Sequence, residues 1–413
     1  MAGHGIKTQL NPTSATTEQF TDGTIGTVKG FFIYHSNITT INTDEDGFGQ
    51  STGHCDLSSS SLKCFQSENN VAQGNSYTDN DASTLARTIT DASVSVVEEA
   101  VYDQLVSNGV QIDWTTGTST QYASSVAMFA EGIEEYWSDY VAFDATITCG
   151  FQADLVIVTS GGTLGESTYA DGRHSLCYYD RASDTMRQWL IFCDDQTATG
   201  IPDSACISEN VNELHGAINL VGNPYNDFAI DTFTGTGFDI DLVANSNISG
   251  HVTAIKFAAG YDFEIGFFTA PTSTGETEVI SGLGFTPQLL MLSGTSATSL
   301  NTPTDDARWF EGGTNGSNQF AMGAVHWQTT STANTRVAGW HHDDACIYLT
   351  DDDGDVVECE ATISGVTGGA FGADSVTLDF TTAATAFQIM YLVIGKASSD
   401  SGLLLTQSSS GGF

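Results

Sequence analysis

The sequence predicts an all-β protein built from three tandem β-sandwich domains of jelly-roll type. Three observations favour this fold: apolar strands recur about every 130 residues, turn residues separate many short runs, and helical periodicity is scarce. A period of this length is too long for one rung of a solenoid, so each copy is a whole domain. The chain has 413 residues, with 43 Gly and 23 Phe, which is enough for several separate cores.

The repeat is clearest in one apolar strand of each copy. These strands are Gly26–Ser36, Gly150–Ser160 and Gly284–Gly294. They divide the chain into four expected parts: residues 1–135 as an N-terminal β domain and candidate anchor, 136–262 and 263–398 as the second and third sandwiches, and 399–413 as a flexible tail.

Each copy also ends with a second pair of apolar strands, which we expect to form a hairpin. The alternation of apolar residues between Thr, Ser, Asn and Gly is typical of this structure. The pairs are Val110–Trp114 with Ser125–Phe129, Phe238–Leu242 with His251–Phe257, and Val376–Phe380 with Phe387–Ile394. Further hairpins are expected within residues 54–65, 175–192 and 320–340.

One segment has a helical pattern. Val94, Val97, Val101 and Leu105 follow one another at helical spacing, and Gly109 comes directly after the segment. Glycine is the usual residue just beyond a helix. We therefore expect residues 93–108 to be the one helix of the protein.

The charge excludes several classes of partner. The chain carries 51 Asp and Glu against 11 Lys and Arg, for a formal net charge of −40. Nucleic acids and anionic membrane surfaces are polyanions, so neither is expected to bind. No apolar run is long enough to cross a bilayer, so membrane insertion is not expected. The first residues have no apolar segment of the kind that a secretory leader requires.

Such a charge is tolerable in concentrated salt. A compact state with this net charge repels itself in dilute buffer, but molar salt shortens the Debye length to roughly 3 Å. The composition is typical of proteins from organisms that accumulate salt. An acidic secreted protein and a cation-binding protein are the alternatives.

The eight cysteines show no Cys-x-x-Cys pair, which argues against zinc and redox sites. Cys55 and Cys64 are close in sequence, and Cys193 and Cys206 have the same spacing as Cys346 and Cys359. These spacings suit hairpins or adjacent loops joined by disulfides, with Cys149 and Cys177 as the remaining candidates. Buried free thiols are the alternative.

Two acidic segments are candidates for structural cations such as Ca²⁺, Mg²⁺ or Na⁺; no other cofactor is expected. Asn42, Asp44 and Asp46 alternate as in the first half of an EF-hand loop, but Gly53 stands where that loop has its glutamate. Asp351, Asp353 and Asp355 lie in a hairpin turn between two apolar runs. A solvated acidic turn is the alternative for both segments.

No pattern points to catalysis. The chain contains neither a Gly-x-Ser-x-Gly elbow nor a phosphate-binding Gly-x-x-x-x-Gly-Lys loop. His341 and His342 are adjacent, so on a strand they face opposite sides and cannot share one metal ion. We expect the protein not to be an enzyme, although a secreted hydrolase with an acid and a base in one pocket stays a third alternative.

Parts of the second and third copies resemble a known type of repeat. Phe268–Leu292 and Phe143–Ile157 follow a Gly-Phe-x-Pro-x-hydrophobic pattern in whole or in part, and Phe387–Gly395 matches its closing strand. The pattern resembles the β-sandwich repeats of virion structural proteins of tailed viruses, especially fibre and spike proteins of marine phages. The first copy has Val28-Lys29-Gly30 instead of Phe-x-Pro.

Together with the acidic surface, this resemblance implies a non-enzymatic virion structural protein of a tailed virus of halophilic archaea. The part would be a turret, spike, capsid decoration, tail fibre or baseplate component, assembled in the host cytoplasm and carried on the extracellular particle. The implied partners are further copies in a symmetric oligomer, capsid or tail proteins, and a host surface glycoprotein. The alternative is a glycan- or receptor-binding adhesion protein on the virion or on a haloarchaeal cell surface.

Overall fold

The computed structural model describes residues 3–23, 25–46, 48–68, 75–89, 96–117, 120–163, 169–170, 172–193, 204–216, 218, 227–244, 248–327, 336–351, 356–363 and 370–397. Every helix or strand assigned within these residues is a β-strand, which confirms the all-β fold class. The described residues include no helix long and apolar enough to cross a membrane.

The strands fall into three sequential groups, which we call the first, second and third repeats. The first repeat contains β1 (Gly5–Leu10), β2 (Thr16–Thr21), β3 (Gly30–Ser36), β4 (Thr43–Asp46), β5 (Phe48–Cys55), β6 (Ser60–Glu68), β7 (Asn75–Asp81), β8 (Ala86–Ile89), β9 (Val96–Val106), β10 (Gly109–Thr116) and β11 (Ala123–Phe129). The second contains β12 (Ile133–Ala142), β13 (Ala145–Thr148), β14 (Leu155–Thr163), β15 (Tyr169–Ala170), β16 (Gly172–Asp180), β17 (Thr185–Cys193), β18 (Ser204–Glu209), β19 (Leu214–His215), β20 (Asp227–Asp231), β21 (Gly237–Ala244) and β22 (Ser249–Phe257). The third contains β23 (Tyr261–Thr269), β24 (Thr277–Ser281), β25 (Phe285–Thr295), β26 (Thr304–Asp305), β27 (Ala307–Thr314), β28 (Gln319–Trp327), β29 (Arg336–His342), β30 (Ile347–Thr350), β31 (Val357–Thr362), β32 (Ala370–Phe371), β33 (Ser375–Ala383) and β34 (Gln388–Ala397).

Each repeat forms a large sheet and a small sheet. The large sheets have the orders β1-β11-β3-β5-β6-β7, β12-β22-β14-β16-β17-β18 and β23-β34-β25-β27-β28-β29. The small sheets have the orders β2-β10-β9-β8, β13-β21-β20-β19 and β24-β33-β31-β30, with β32 added on β33. The same strand order therefore occurs three times, and apolar side chains fill the space between the two sheets of each repeat. The jelly-roll assignment stays a prediction.

The three large sheets are joined in a ring by exchanged strands. Each large sheet gains a seventh strand from another repeat: β15 pairs with β7, β26 with β18, and β4 with β29. Because β4 of the first repeat joins the sheet of the third, the order of repeats closes on itself. The tandem units expected from the sequence thus form a ring instead of an open row.

A shared apolar core lies on the inner faces of the three large sheets. It receives side chains from the equivalent strands β3, β14 and β25 of all three repeats. These residues are Phe32, Tyr34, Leu155, Ile157, Leu289 and Met291. No single repeat can bury this face alone, so the shared core ties the folding of each repeat to the presence of the others.

The faces of these strands correct the sequence alignment of the first repeat by one residue. Matching the strands by their first glycines places Phe32 opposite Val156, yet Phe32 faces the shared core and Val156 faces the sandwich core of its own repeat. A shift by one residue moves a strand side chain to the other face of the sheet. Phe32 therefore corresponds to Leu155.

The closing strand pairs are not hairpins. β10 lies in the small sheet of the first repeat and β11 in the large sheet, and the corresponding strands of the other repeats divide in the same way. Both β10 and β21 begin with a glycine that lies close to a neighbouring strand. A Cβ atom at Gly109 would lie 2.0 Å from the carbonyl oxygen of Phe20, and one at Gly237 would lie 1.8 Å from the carbonyl oxygen of Ile147. No larger residue fits at either position. The expected hairpins β5–β6, β16–β17 and β28–β29 are confirmed.

The expected helix is also wrong. Residues 96–106 form strand β9, paired on both sides with β8 and β10. Glu98 and Ala100 are buried on one face, while their neighbours are more exposed. The valines favour a strand because branching at Cβ restricts their rotamers in a helix. Sheet pairing on two sides therefore outweighs an apolar spacing that fits a helix.

Candidate functional site: the seams between the repeats

The acidic segment that begins at Asn42 closes the ring. Strand β4 pairs with β29, with Asp44 opposite Trp340. Just before it, Asn42 has a left-handed backbone (φ 66°). Its Nδ2 donates to Asp343 Oδ1 at 2.9 Å, and its Oδ1 accepts from the Asp343 backbone N–H at 2.8 Å. The segment predicted as an EF-hand-like loop is therefore an edge strand and its approach.

Asp44 also contacts the third repeat at this seam, by which we mean the boundary between two repeats, here the one where β4 pairs with β29. Tyr348 Oη donates to Asp44 Oδ2 at 3.2 Å, and His342 Nε2 lies 3.6 Å from Asp44 Oδ1. The His342 ring stacks on Tyr348 with centroids 3.9 Å apart. The carboxylate thus contacts the third repeat through two side chains. The side chain of the third candidate, Asp46, lies outside the described part of the structure.

The two residues that flank the second acidic segment, Asp351 and Val356, are hydrogen-bonded to each other. The Asp351 N–H donates to the Val356 carbonyl at 2.7 Å, and the Val356 N–H donates to Asp351 Oδ1 at 3.1 Å. The segment joins the paired strands β30 and β31, which confirms the predicted hairpin. Asp353 and Asp355 lie outside the described residues, so cation binding there stays a prediction.

His341 and His342 face opposite ways, as the alternation of a strand requires. His341 is fully buried, with Nδ1 2.9 Å from Ser36 Oγ and Nε2 2.7 Å from Ser125 Oγ. Burial lowers the pKa of His341 to about 3. The neutral ring therefore binds the third repeat to two strands of the first.

One buried carboxylate contacts all three repeats. Glu311, in β27 of the third repeat, contacts His174 Nε2 of the second through Oε1. Its Oε2 accepts from Thr52 Oγ1 of the first at 3.3 Å. All three residues are almost fully buried, so Glu311 is held by protein groups in place of water. Removing one partner from such a contact is costly, because it leaves a buried polar group unsatisfied.

A second histidine joins the first repeat to the second. His54 Nδ1 lies 2.9 Å from Thr253 Oγ1, and its Nε2 lies 3.3 Å from Thr159 Oγ1. Burial, followed by repulsion from His174, lowers the pKa of His54 to about 3. Sequence reasoning considered His341 only as a metal ligand and did not single out His54 and His174, because it searched for metal spacings. The available signal was a polar residue inside an apolar strand.

The cysteines whose side chains the structure describes are free thiols. Seven are described, six of them buried, while the Cys64 side chain lies outside the described part. In the ladder between β5 and β6, Cys55 pairs with Ser60 and Cys64 with Ser51. In the ladder between β17 and β18, Cys206 lies opposite Ile191 instead of Cys193. In the ladder between β30 and β31, Cys359 lies opposite Leu349, and Cys346 and Cys359 are both free thiols. None of the three expected pairs is directly opposed in a strand ladder, and disulfides need close Cα atoms.

The second repeat carries an exposed acidic cluster that the sequence did not reveal. Ligand atoms of Asp231, Asp239 and Asp241 all lie within 4.8 Å of one another. Asp231 and Asp239 are direct partners in the ladder between β20 and β21. Partial desolvation and these neighbouring carboxylates raise the pKa of Asp241. Only pairing of the two strands brings the three together.

A serine, a histidine and a glutamate meet inside the first repeat. His35 Nδ1 lies 3.0 Å from Ser124 Oγ, and His35 Nε2 lies 3.4 Å from Glu98 Oε2. All three residues are 0% exposed. A substrate cannot reach a hydroxyl enclosed between two sheets, so this trio is not arranged as an accessible nucleophile with its base.

Two surface cavities lie at the rim of the first repeat. The larger, of about 430 Å³, is lined by residues 25–28 and 105–108. The smaller, of about 260 Å³, lies at the seam with the third repeat and is lined by Ile6, Lys7, Thr8, Ser317, Asn318, Gln319, Asp343 and Asp344. The smaller cavity is rich in hydrogen-bonding groups and includes one of the few cationic side chains.

Comparison of the chain with protein-family models and with curated proteins gave no match. The features that bear on the class of protein are therefore the ring of sheets, the buried contacts between the repeats and the net charge.

Proposed function

We propose that the protein is a non-enzymatic structural component of a virus particle, of a tailed virus that infects halophilic archaea. Its place would be a turret, spike, capsid decoration, tail fibre or baseplate. The observation that carries this proposal is the exchange of β4, β15 and β26, which closes three sandwiches into one ring. Such a closure serves mechanical stiffness and requires no reactive group.

The exchanged strands cover edges that would otherwise attract other chains. An open sheet edge presents unpaired N–H and C=O groups and invites aggregation. Here one edge of each large sheet is occupied by a strand from another repeat. A part that is crowded against many copies on a particle benefits from covered edges.

The cyclic order of the repeats also suits a particle. Virus shells and tails are built on rotational symmetry, and a ring of three similar units can present similar surfaces to three similar neighbours. The net charge of −40 fits a surface bathed in brine, where salt screens the repulsion between neighbouring copies.

Purified particles test the proposal. Mass spectrometry and a low-resolution map should find the chain in the particle as a compact block, in a number of copies that matches a symmetry axis. If the chain is absent from particles and abundant in the cell envelope, the virion assignment is wrong.

The runner-up function is adhesion to a glycan or surface receptor, which the polar cavity at Lys7 favours. Hydrogen-bonding side chains such as Lys7, Asn318 and Asp343 are suited to sugar hydroxyls. Binding to purified host surface glycoprotein in molar salt, lost in Asn318→Ala and kept in the distant variant Asp241→Asn, would support it. Equal binding by both variants would exclude this cavity as the receptor site.

A further inference from the structure

Three buried histidines lie close together at the seam between the first and second repeats. His54 belongs to β5 of the first repeat, and His174 and His251 belong to β16 and β22 of the second. All three are at most 2% exposed. The ring centroids of His54 and His251 are 5.8 Å apart, and His174 is near enough to repel a charge on His54. Tyr140 packs on His251 with ring centroids 4.9 Å apart. We call the three histidines the histidine cluster.

The hydrogen bonds of His54 define a neutral ring. Thr253 Oγ1 donates its one proton to Ser138 Oγ at 3.1 Å, so it accepts from His54 Nδ1 at 2.9 Å. Nδ1 therefore carries the proton of the ring, and Nε2 accepts from Thr159 Oγ1 at 3.3 Å. A second proton on Nε2 would remove this acceptor and place a positive charge on the ring. The three hydroxyl residues belong to the second repeat, so the network crosses the seam.

The surroundings of His54 do not offset such a charge. In the described part of the chain, no carboxylate forms an ion pair with His54. Its ring packs against Phe32, with centroids 4.2 Å apart. Glu311 contacts His174 instead, and Asp56, two residues along the chain, accepts from groups of its own turn. A buried charge without a paired partner is costly.

The ring of His54 takes up a proton far more easily in water than in the closed seam. Burial, followed by repulsion from His174, lowers the pKa of His54 to about 3, whereas the value in water is about 6.5. Between these pH values, a state with the seam open binds a proton that the closed state does not. Lowering the pH from 7 to 5 should raise the equilibrium constant for opening ~25-fold through this one ring.

We propose that the histidine cluster makes the ring of repeats sensitive to acid: protonation of His54 opens the seam between the first and second repeats before either sandwich unfolds. The seam is closed by the shared core and by the polar network of His54. Each sandwich, by contrast, has an apolar core of its own. Proteins commonly open in one part while the rest stays folded. This inference does not depend on the proposed function.

Photochemical carbene labelling of the full chain, read by mass spectrometry, tests the proposal in molar KCl from pH 7 down to acid unfolding. Phe32 and Ile157 report on the shared core, and Trp114 and Phe228 report on the sandwich cores; all four are buried. In the wild type, labelling of the first two should rise at a higher pH than labelling of the other two. If all four rise together, the proposal is wrong.

His54→Asn removes the titrating ring, while its amide can still donate to Thr253 from the position of Nδ1. Its equilibrium constant for opening should rise ~25-fold less between pH 7 and pH 5 than that of the wild type. Labelling of Phe32 should therefore begin at a lower pH. Labelling that begins at the wild-type pH overturns the proposal. If this variant does not fold, His54→Gln carries the same test, and the order of labelling in the wild type decides on its own.

His215→Gln is the matched control. His215 is also a buried histidine, but its ring lies beside Glu209 and Asp227 of its own repeat. This variant should keep the wild-type pH at which labelling of Phe32 begins. A shift equal to that of His54→Asn would show that the loss of any buried histidine has this effect, and the assignment to the histidine cluster would be wrong.

Discussion

The first and third repeats share one strand order but differ in what lies between their sheets. In the third repeat the interior is filled by large apolar side chains such as Phe310, Trp340 and Phe380, all 0% exposed. In the first repeat the corresponding space holds Glu98 and His35 beside Trp114. The same topology therefore tolerates two different kinds of interior.

This comparison distinguishes the residues that set the strand order of a sheet from the residues that fill the space between two sheets. Strand order follows from the placement of apolar strands and turns, which all three repeats share. The side chains between the two sheets decide how the stability of a repeat responds to pH and to ions. An apolar interior is insensitive to protons and ions, whereas a polar one depends on them. The interior of the first repeat is thus one part of the ring that the solution can influence, together with the buried histidines at the boundaries between the repeats.

The largest effect is expected from a cavity in the apolar interior. Phe310→Ala should lower the free energy of unfolding by about 3–5 kcal/mol, because it removes a fully buried ring. The loss should be nearly the same at pH 7 and pH 5. Denaturant unfolding in molar KCl measures it, and a loss that grows strongly with acidity would contradict the comparison.

A smaller effect, dependent on pH, is expected from the polar interior. Burial lowers the pKa of His35 to about 3, against about 6.5 in an unfolded chain. Between these values the unfolded state binds a proton that the native state does not, so stability falls as the pH falls from 6.5 towards 3. The cost reaches ~2 kcal/mol at pH 5 for one histidine.

His35→Gln should remove this contribution. Its free energy of unfolding should change less between pH 7 and pH 5 than that of the wild type, by about the same ~2 kcal/mol. Phe310→Ala, measured alongside, should keep the wild-type dependence. Identical pH dependence in His35→Gln and the wild type would show that the ring is not buried in its neutral form.

An effect of similar size is expected at the boundary between the first and third repeats. Asn42→Gly keeps the left-handed backbone but removes both side-chain bonds to Asp343, so it should cost about 1 kcal/mol. Asn42→Ala should cost about 1–2 kcal/mol more, since alanine is disfavoured at positive φ. If the two variants unfold at the same denaturant concentration, the backbone at Asn42 is not held in this conformation.

The smallest effect is expected on the exposed surface of the second repeat. Asp241→Asn should leave the Tm unchanged in molar salt, because the charges of its cluster are screened there. In low salt it should raise the Tm, since repulsion from Asp231 and Asp239 is relieved. A lower Tm in both buffers would mean that the carboxylate makes a favourable contact.

Much of the fold could be read from the sequence. The apolar strands, the three copies and the hairpins at β16–β17 and β28–β29 follow from local patterns of turns and apolar residues. The wrong prediction of a helix at β9 also came from a local pattern, because valines at helical spacing fit equally well in a strand that is paired on both sides. Local patterns do not record which partner a strand will find.

The candidate site was less accessible to sequence reasoning. Asn42 and Asp44 were singled out for their oxygens, but their partners Asp343 and Tyr348 lie some three hundred residues further along the chain. Glu98 was overlooked inside a supposed helix, and its neighbours Asn11 and His35 come from distant parts of the chain, one just after β1 and the other in β3. Such groupings exist only after the sheets have formed.

By itself, the sequence determined the all-β class, the threefold recurrence and the acidic surface, because these depend on composition and on order along the chain. Only the tertiary structure decided that the copies close into a ring and that each lends a strand to a neighbour. It also decided that a carboxylate lies sealed within the first repeat. Pairing between distant strands is chosen by the burial of whole faces at once, and no local stretch of sequence carries that information.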